Sequence, residues 1–443
     1  MNNGLSKTYM IYNENKSEID FTIWPCLLLI VGLSINEFGR PIFCILEVKR
    51  GSVSSLDFYL NIIFIILSFK YYTTFRNDTT FLYFTYILIF IAFWVFLGSI
   101  INDTSIKTYF TVTSFVFFQN SGYFIFYNNR NAILSRIHYG LIGISLLWNV
   151  FIIWSIISGR ITIFVSEGIQ RIYWPGQFHS TEIPIYLGFQ FCYLVYTYLY
   201  IRNIWIRIIT IAILFCNIYI MLLCGARSAL LGYLLVVCIF VFFYIRQNPG
   251  KHLRTFLSIF TIFIAFTMFN FDRIEEVSTS FISRVTHQND YGRRLRFDRI
   301  YPVTWNIATK NPWFGIGSDK WGIIGVLAGL KTEYGLSKQT PPHQNFLGFA
   351  ALRGFPAAIV FFGYAMYFTY VCLKTLLIAT RHGTEARAVD NRIVGLLILS
   401  FTCFVYQQFR GLIQDTWMLK ETYIWCGIGL ACVRYLTKFR MKA

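Results

Sequence analysis

Long apolar runs recur along the whole of this chain, and they restrict the fold more than any other feature of the sequence. Most of the runs approach or exceed the roughly 20 residues that a helix needs to cross the hydrocarbon core of a bilayer, and the two near 21–35 and 56–69 are shorter. Only 14% of the residues are charged, whereas soluble domains carry about a quarter. The runs lie near 21–35, 56–69, 81–101, 108–127, 137–158, 182–200, 204–224, 227–245, 253–271, 346–375, 392–411 and 417–437. The sequence therefore predicts an all-α polytopic membrane protein with about 12 transmembrane helices.

The basic residues of the short loops indicate the orientation, because Lys and Arg collect on the cytoplasmic side of a membrane. They fall mostly on one side when the N-terminus is placed in the cytoplasm. The predicted organisation is a cytoplasmic tail (1–20), transmembrane helices 1–9 (21–271), one large outer loop with short helices (272–342), and helices 10–12 with a cytoplasmic C-terminus (343–443). One of the short loop helices is expected near 302–310, after Pro302.

Composition excludes several classes of function. The net charge of +18 is dispersed between the apolar runs, whereas a nucleic-acid-binding protein needs a basic face on a soluble domain. All ten cysteines lie in or beside apolar runs, without a CxxC pair or a Cys/His cluster of zinc spacing. We interpret them as small packing residues and expect no nucleic-acid partner and no metal-binding thiols.

The informative residues are the ionisable ones at the predicted outer boundary, since such groups are functional candidates by default. Arg227 lies at the outer turn between two long spans, and a guanidinium binds phosphate through paired hydrogen bonds. The competing interpretation is an arginine that reaches the lipid headgroups. The loop segment 291–299 carries four arginines, Arg293, Arg294, Arg296 and Arg299. A solvated charged surface is the ordinary explanation of such a segment.

Two further residues lie beside predicted span ends. His343 opens the tenth span, where an imidazole can act as a general base near neutral pH or can bond to the backbone. Asp415 lies in the turn between the last two spans, with Arg410 and Glu421 inside the adjoining span ends. A carboxylate close to several arginines would orient them or balance their charge.

Taken together and in this order, these residues resemble the bacterial O-antigen ligase and O-antigen polymerase superfamily. The stretch 226–231 looks like the family's Arg-containing span start, and 292–299 looks like the Arg helix of its outer loop. The turn Asn-Pro-Trp-Phe-Gly-Ile-Gly over 311–317 resembles the family's NPxFGxG motif. The layout of 12 spans, with a long periplasmic loop before the tenth, is also similar.

The remaining resemblance lies in three other places. His343, followed by Phe346, Leu347 and Gly354, fits the family's HNxxLxxxxxxG motif, although Gln344 stands where the family usually has Asn. The stretch 415–417 resembles a late outer Asp motif. Arg171 and Gly176 are similar to a weaker motif before the sixth span.

The resemblance implies a set of roles. Members are inner-membrane glycosyltransferases that use undecaprenyl-diphosphate-linked glycans at the periplasmic face. By that likeness Arg227 and Arg296 would bind the donor diphosphate, with Arg294 the next loop candidate and Arg171 assisting. His343 would be the catalytic base, and Asp415 would support this set. No DxD-like acidic pair occurs in the early outer loops, so we expect no metal and no cofactor.

Three functions remain open. The first is an O-antigen polymerase, which moves a glycan from one undecaprenyl diphosphate onto a lipid-linked repeat unit, and the aromatic- and Ile/Asn-rich composition slightly favours it. The second is a ligase with lipid A–core as acceptor. The third, of another class, is a lipid-linked oligosaccharide flippase. Transporters place charges near the midplane and often contain internal repeats, whereas the charges here lie at the outer boundary, among membrane lipids.

Overall fold

The computed structural model describes most of the chain as helix. The described residues are 78–104, 107–166, 169–173, 183–247, 295–317, 320, 322–330, 344–380, 391–412 and 419–440, with the single residues 30, 62, 63, 66 and 275. The predicted spans near 21–35, 56–69 and 253–271 lie outside these ranges, apart from those single residues. The predicted tail over 1–20 also lies outside them.

Nine long helices occur in the described ranges. They are α1 (Thr79–Ile101), α2 (Lys107–Asn128), α3 (Arg130–Ile157), α4 (Ile183–Tyr200), α5 (Ile204–Cys224), α6 (Arg227–Gln247), α10 (Phe355–Ala379), α11 (Asn391–Gly411) and α12 (Lys420–Arg440). Three shorter helices are α7 (Tyr301–Lys310), α8 (Ile323–Leu327) and α9 (Asn345–Arg353), and a six-residue π-helix (Leu295–Ile300) precedes α7. A hairpin of β1 (Thr162–Ser166) and β2 (Ile169–Tyr173) separates α3 from α4.

Seven of the nine long helices coincide with predicted spans to within three residues, whereas α3 begins seven residues before its predicted run and α10 begins nine residues after the start of its predicted run. Among the described helices, six are long and apolar enough to cross a membrane, namely α1, α3, α5, α6, α10 and α11. This supports the all-α class and a multi-pass membrane protein, with the short β1–β2 hairpin as an exception that the apolar pattern did not predict. The loop helix expected after Pro302 is confirmed as α7. The total of about 12 spans and the periplasmic side of the loop stay predictions.

Local signals explain where the helices begin and end. Asp78 caps α1, since its carboxylate accepts a hydrogen bond from Phe81 N at 3.1 Å. Asn203 caps α5 in the same way, accepting from Trp205 N at 2.9 Å. Gly225 ends α5 with φ +61, a left-handed conformation that glycine adopts at little cost. The chain therefore turns sharply between α5 and α6.

Helices α4 and α11 lie in the interior of the bundle. Nearly every residue of α4 is buried, and α11 packs against α4, α6, α10 and α12. The backbones of α2 and α12 approach each other closely: a Cβ on Gly122 would lie 2.3 Å from Ile424 O, and one on Gly427 would lie 2.0 Å from Gln119 O. Small residues let helix backbones approach in this way in membrane proteins.

The outer helices turn apolar side chains away from the bundle. Tyr83, Phe93, Ile157, Trp205 and Leu234 are all exposed. Many exposed large apolar side chains are unfavourable in water and suit the acyl chains of lipids. The bundle therefore buries its polar groups inside and presents its apolar groups outward.

One predicted span is wrong in detail. The apolar run 346–375 was expected to form a single helix, but α9 ends at Arg353 and α10 begins at Phe355. Gly354, between them, has φ +86, and a Cβ there would lie 1.8 Å from Trp313 O. Pro356 in the first turn of α10 suits a helix start. Hydropathy does not register such a break, because both halves are apolar.

Candidate active site

Two ends of the bundle are distinguished by their contacts. The loop end holds the end of α1, the start of α6, the end of α11 and the described loop residues 295–317. Trp94 Nε1, near the end of α1, donates to Trp313 O at 3.0 Å. Arg410 Nη1, in the last turn of α11, donates to Ser228 Oγ in the first turn of α6. The predicted outer turns thus meet at one end of the bundle.

Arg410 is the deepest described cation at the loop end. Only 2% of its surface is exposed. Besides the hydrogen bond to Ser228, its guanidinium lies among Tyr406, Cys224 and Tyr233. A buried guanidinium keeps its charge and strengthens the local positive potential, because little water screens it.

Arg296 approaches Arg410 from the loop. It is half-buried in the π-helix, and its positive charge repels that of Arg410. Ile300, fully buried, anchors the π-helix, and Thr304 Oγ1 donates to Ile300 O at 2.6 Å where α7 begins. Short π-helices are rare and occur often at functional sites. Of the four loop arginines, the structure describes Arg296 and Arg299, and Arg299 is exposed.

The 311–317 turn is a structural connection between the loop and the break after α9. Ile316 N donates to Ala351 O and Gly317 N to Leu352 O, both at 3.0 Å. Phe355 N donates to Pro312 O at 2.7 Å. The last carbonyls of α9 and the first N–H of α10 are therefore satisfied by this turn.

Glycine is required at the middle of this connection. Gly315 has φ +62, and a Cβ there would lie 2.3 Å from the backbone of Leu352. Gly317 has φ +97 and faces Thr104. These two glycines therefore permit close backbone packing, and together with Gly354 they explain why the two motifs carry glycine at these positions.

The start of α9 is capped by Gln344. Its backbone is extended and its Oε1 accepts a hydrogen bond from Leu347 N. In the superfamily that the sequence resembles, this position usually holds Asn. In this structure Gln344 caps the helix. His343 directly precedes the cap and lies outside the described residues.

Comparison with protein families identifies the middle of the chain. Residues 212–362 match the model of the family described as O-antigen ligase. This similarity supports the likeness of the chain to the O-antigen ligase and polymerase superfamily. The match covers about a third of the chain, and no curated protein matches the chain.

The O-antigen ligase match spans most of α5, all of α6 to α9 and the first part of α10. It contains Arg227, Arg296, His343 and Gly354 but neither Arg410 nor the last two helices. The matched segment and the unmatched C-terminal helices therefore both contribute residues to the loop end.

The structure brings only some of the predicted O-antigen ligase residues together. Arg227 is the first residue of α6 and Arg296 lies in the π-helix, both at the loop end. The backbone of Arg171 is paired with that of Phe164 across the hairpin, and β2 packs against α5. Arg294 and Asp415, like His343, lie outside the described residues.

Two buried arginines were not predicted as site residues from the sequence, Arg353 and Arg410. Arg353 ends α9 with 2% of its surface exposed; its guanidinium lies 4.6 Å from the Phe349 ring and interacts with Tyr423. It stands inside an apolar run, which is itself a signal of function or of a special contact. Arg410 was noted only as a neighbour of Asp415, because its contact with α6 cannot be read from spacing.

Proposed function

We propose that this protein is a membrane glycosyltransferase of surface-polysaccharide synthesis, a polymerase that moves a glycan en bloc from undecaprenyl diphosphate onto a lipid-linked repeat unit. The observation that carries the proposal is the meeting of Arg296, Arg410 and the start of α6 at the loop end. Like charges repel, so such a cluster suits a multiply charged anion. A diphosphate leaving group is such an anion.

The chemistry uses the cluster to stabilise the leaving group. An acceptor hydroxyl attacks the anomeric carbon of the donor glycan, and the bond between that carbon and the diphosphate oxygen breaks with its electron pair going to the diphosphate. Arginines bind phosphate oxygens through charge-assisted hydrogen bonds. Arg227 begins α6, and the first turn of a helix also attracts anions. Fixed donors of this kind act strongly where water is excluded.

The proton of the acceptor hydroxyl is assigned to His343. An imidazole near its ordinary pKa is suited to this role, and a positioned general base contributes about 100- to 10,000-fold in rate. In the same proposal Arg294 and Arg171 assist the diphosphate and Asp415 orients the arginines. The reaction needs no metal, because guanidinium groups take the place that a divalent cation fills in other phosphate-transfer sites.

A ligase is the second candidate, and the description of the matched family favours it. A ligase would use the same donor and transfer the finished glycan to lipid A–core. The two functions share the diphosphate site and differ in the acceptor. We place the reaction at the periplasmic face of the inner membrane in both cases, because the predicted orientation puts the loop end there.

The test is acceptor-resolved transfer by purified protein in a chelating buffer. One reaction offers lipid-linked repeat units and the other offers lipid A–core. Both are run with His343→Ala, which is expected to be inactive, and with His287→Ala, a histidine variant in the same predicted loop, as its matched control. A ladder on the undecaprenyl carrier, lost only in His343→Ala, supports the polymerase. Product on lipid A–core alone supports the ligase. Movement of lipid-linked glycan across vesicles without any product would replace both with a flippase, and activity that returns only with Mg²⁺ would overturn metal independence.

A further inference from the structure

Arg410 stands outside the family match, and no role follows for it from the likeness to the superfamily. It is nevertheless the described arginine whose contacts join the two regions that carry Arg227 and Arg296. Three observations describe what it does: how α11 is held, what Arg410 binds, and what charge it adds.

The last turns of α11 are held rigidly by Tyr406, one turn before Arg410. Tyr406 OH donates to Pro184 O at the start of α4, at 2.7 Å. Its ring lies against two glycines: a Cβ on Gly188 would lie 1.9 Å from the ring and one on Gly232 would lie 2.6 Å from it. The backbone that carries Arg410 is therefore fixed against both α4 and α6.

Arg410 contacts the first turn of α6 directly. The acceptor of its Nη1 hydrogen bond is the hydroxyl of Ser228, which follows Arg227 in the chain. Gly225 immediately before this turn is in the left-handed conformation. The sharp turn needs a second point of attachment to keep a single direction for the start of α6, and the hydrogen bond to Ser228 supplies it.

Arg410 also adds charge behind the site. Its guanidinium is buried, whereas Arg296 is half-buried and so has access to the outside of the bundle. The two groups repel each other, and an anion bound near Arg296 relieves that repulsion. Arg410 is too enclosed in this conformation to be assigned a direct contact with the substrate.

We propose that Arg410 is a positioning residue for diphosphate binding, which fixes the first turn of α6 through Ser228 and supplies positive charge behind Arg296. The inference rests on the proposed function, since it needs a diphosphate donor. It assigns the unmatched C-terminal helices a part in donor binding. At metal sites, loss of a group that orients the ligands costs about 10- to 100-fold, and we expect a loss of similar size here.

The experiment compares Arg410→Met, Arg410→Lys and Ser228→Ala, with Arg434→Met as the matched control. Arg434 lies in α12 at the end of the bundle opposite the loop. Its loss therefore tests the effect of destabilisation alone. Three quantities are measured on folded, monodisperse protein: the Kd for undecaprenyl diphosphate, and the KM and kcat of glycan transfer.

We expect Arg410→Met to raise the donor Kd and KM about 10- to 100-fold, with a smaller change in kcat. Ser228→Ala should reproduce part of this effect, and the double variant should be no worse than Arg410→Met, because both act through one contact. Arg410→Lys should recover part of the affinity by restoring the charge.

Failure of the inference and failure of the proposed function give different results. If wild-type protein binds and uses the donor while Arg410→Met and Ser228→Ala match Arg434→Met, the positioning role is wrong and the function stands. If wild-type protein neither binds undecaprenyl diphosphate nor transfers glycan, the function is wrong and the inference is lost with it. Additive effects in the double variant would contradict the shared contact.

Discussion

The two ends of the helical bundle use buried charge in opposite ways. At the end opposite the loop, Arg434 Nη1 lies 3.3 Å from Asp78 Oδ2 and donates to Tyr123 OH at 2.8 Å, and Tyr123 OH donates to Asp78. This group joins the start of α1 to the ends of α2 and α12, and its opposite charges cancel. At the loop end, Arg296 and Arg410 have the same sign and repel each other. The first group neutralises its own charge, whereas the two arginines leave a net positive charge that suits an anion.

The largest expected effect is at Arg296. Arg296→Ala should lower kcat for glycan transfer by about 100- to 1,000-fold, as loss of one preorganised donor does elsewhere. Arg299→Ala is the matched control, because Arg299 lies in the same π-helix and is exposed. Transfer kinetics at saturating donor decide the matter. Equal losses in both variants would mean that the loop arginines act as a diffuse charged surface. The loop end would then have no specific anion site to contrast with the neutralised group at the other end.

The next largest effect is expected at Gly354, where the 311–317 turn packs against the break between α9 and α10. Gly354→Ala places a Cβ against Trp313 O at a positive φ, so it should lower the free energy of unfolding by about 3 kcal/mol and reduce transfer. Gly363→Ala, within α10, is the control, since a Cβ there meets nothing within 4 Å. Thermal unfolding in detergent measures both. Equal stability of the two variants would show that the helix break tolerates a side chain.

The sequence predicted the helices well for a physical reason. Each lipid-crossing helix must satisfy its own backbone and remain apolar outward, so hydropathy marks it directly. The break at Gly354 escaped this pattern, because it is set by the 311–317 turn packing against α9 rather than by polarity. Recognition of both glycine motifs came from their order in the chain, and the reason for the glycines came only from the structure.

The candidate site was partly readable from sequence. The likeness to the family placed Arg296 first among the four loop arginines, and in the structure the charge of Arg296 acts on Arg410. The pairing of Arg410 with Ser228, 182 residues earlier in the chain, could not be read in this way. Such a contact depends on the packing of α11 against α6, and no local pattern records it.

The opposite end is expected to respond in stability alone. Asp78→Asn keeps an acceptor for Phe81 N but removes the charge that faces Arg434 and Tyr123, so it should cost roughly 2 kcal/mol of unfolding free energy. The donor KM should not change, because the loop end keeps all its contacts. A KM shift comparable to that of Arg410→Met would show that the two ends are coupled.

The smallest effect is expected where the loop end is joined to α1. Trp94→Phe removes the hydrogen bond from Nε1 to Trp313 O and keeps an aromatic ring, which stacks on Phe314 with ring centroids 5.0 Å apart in the wild type. One neutral hydrogen bond contributes about 1 kcal/mol, so a small fall in unfolding temperature and less than a threefold change in KM are expected. Trp94→Ala, which also loses the ring, should be worse in stability and equally mild in KM. A large KM effect in Trp94→Phe would mean that the 311–317 turn positions the arginines as well as joining the loop to the bundle. The backbone of the turn would then belong to the donor-binding part of the loop end.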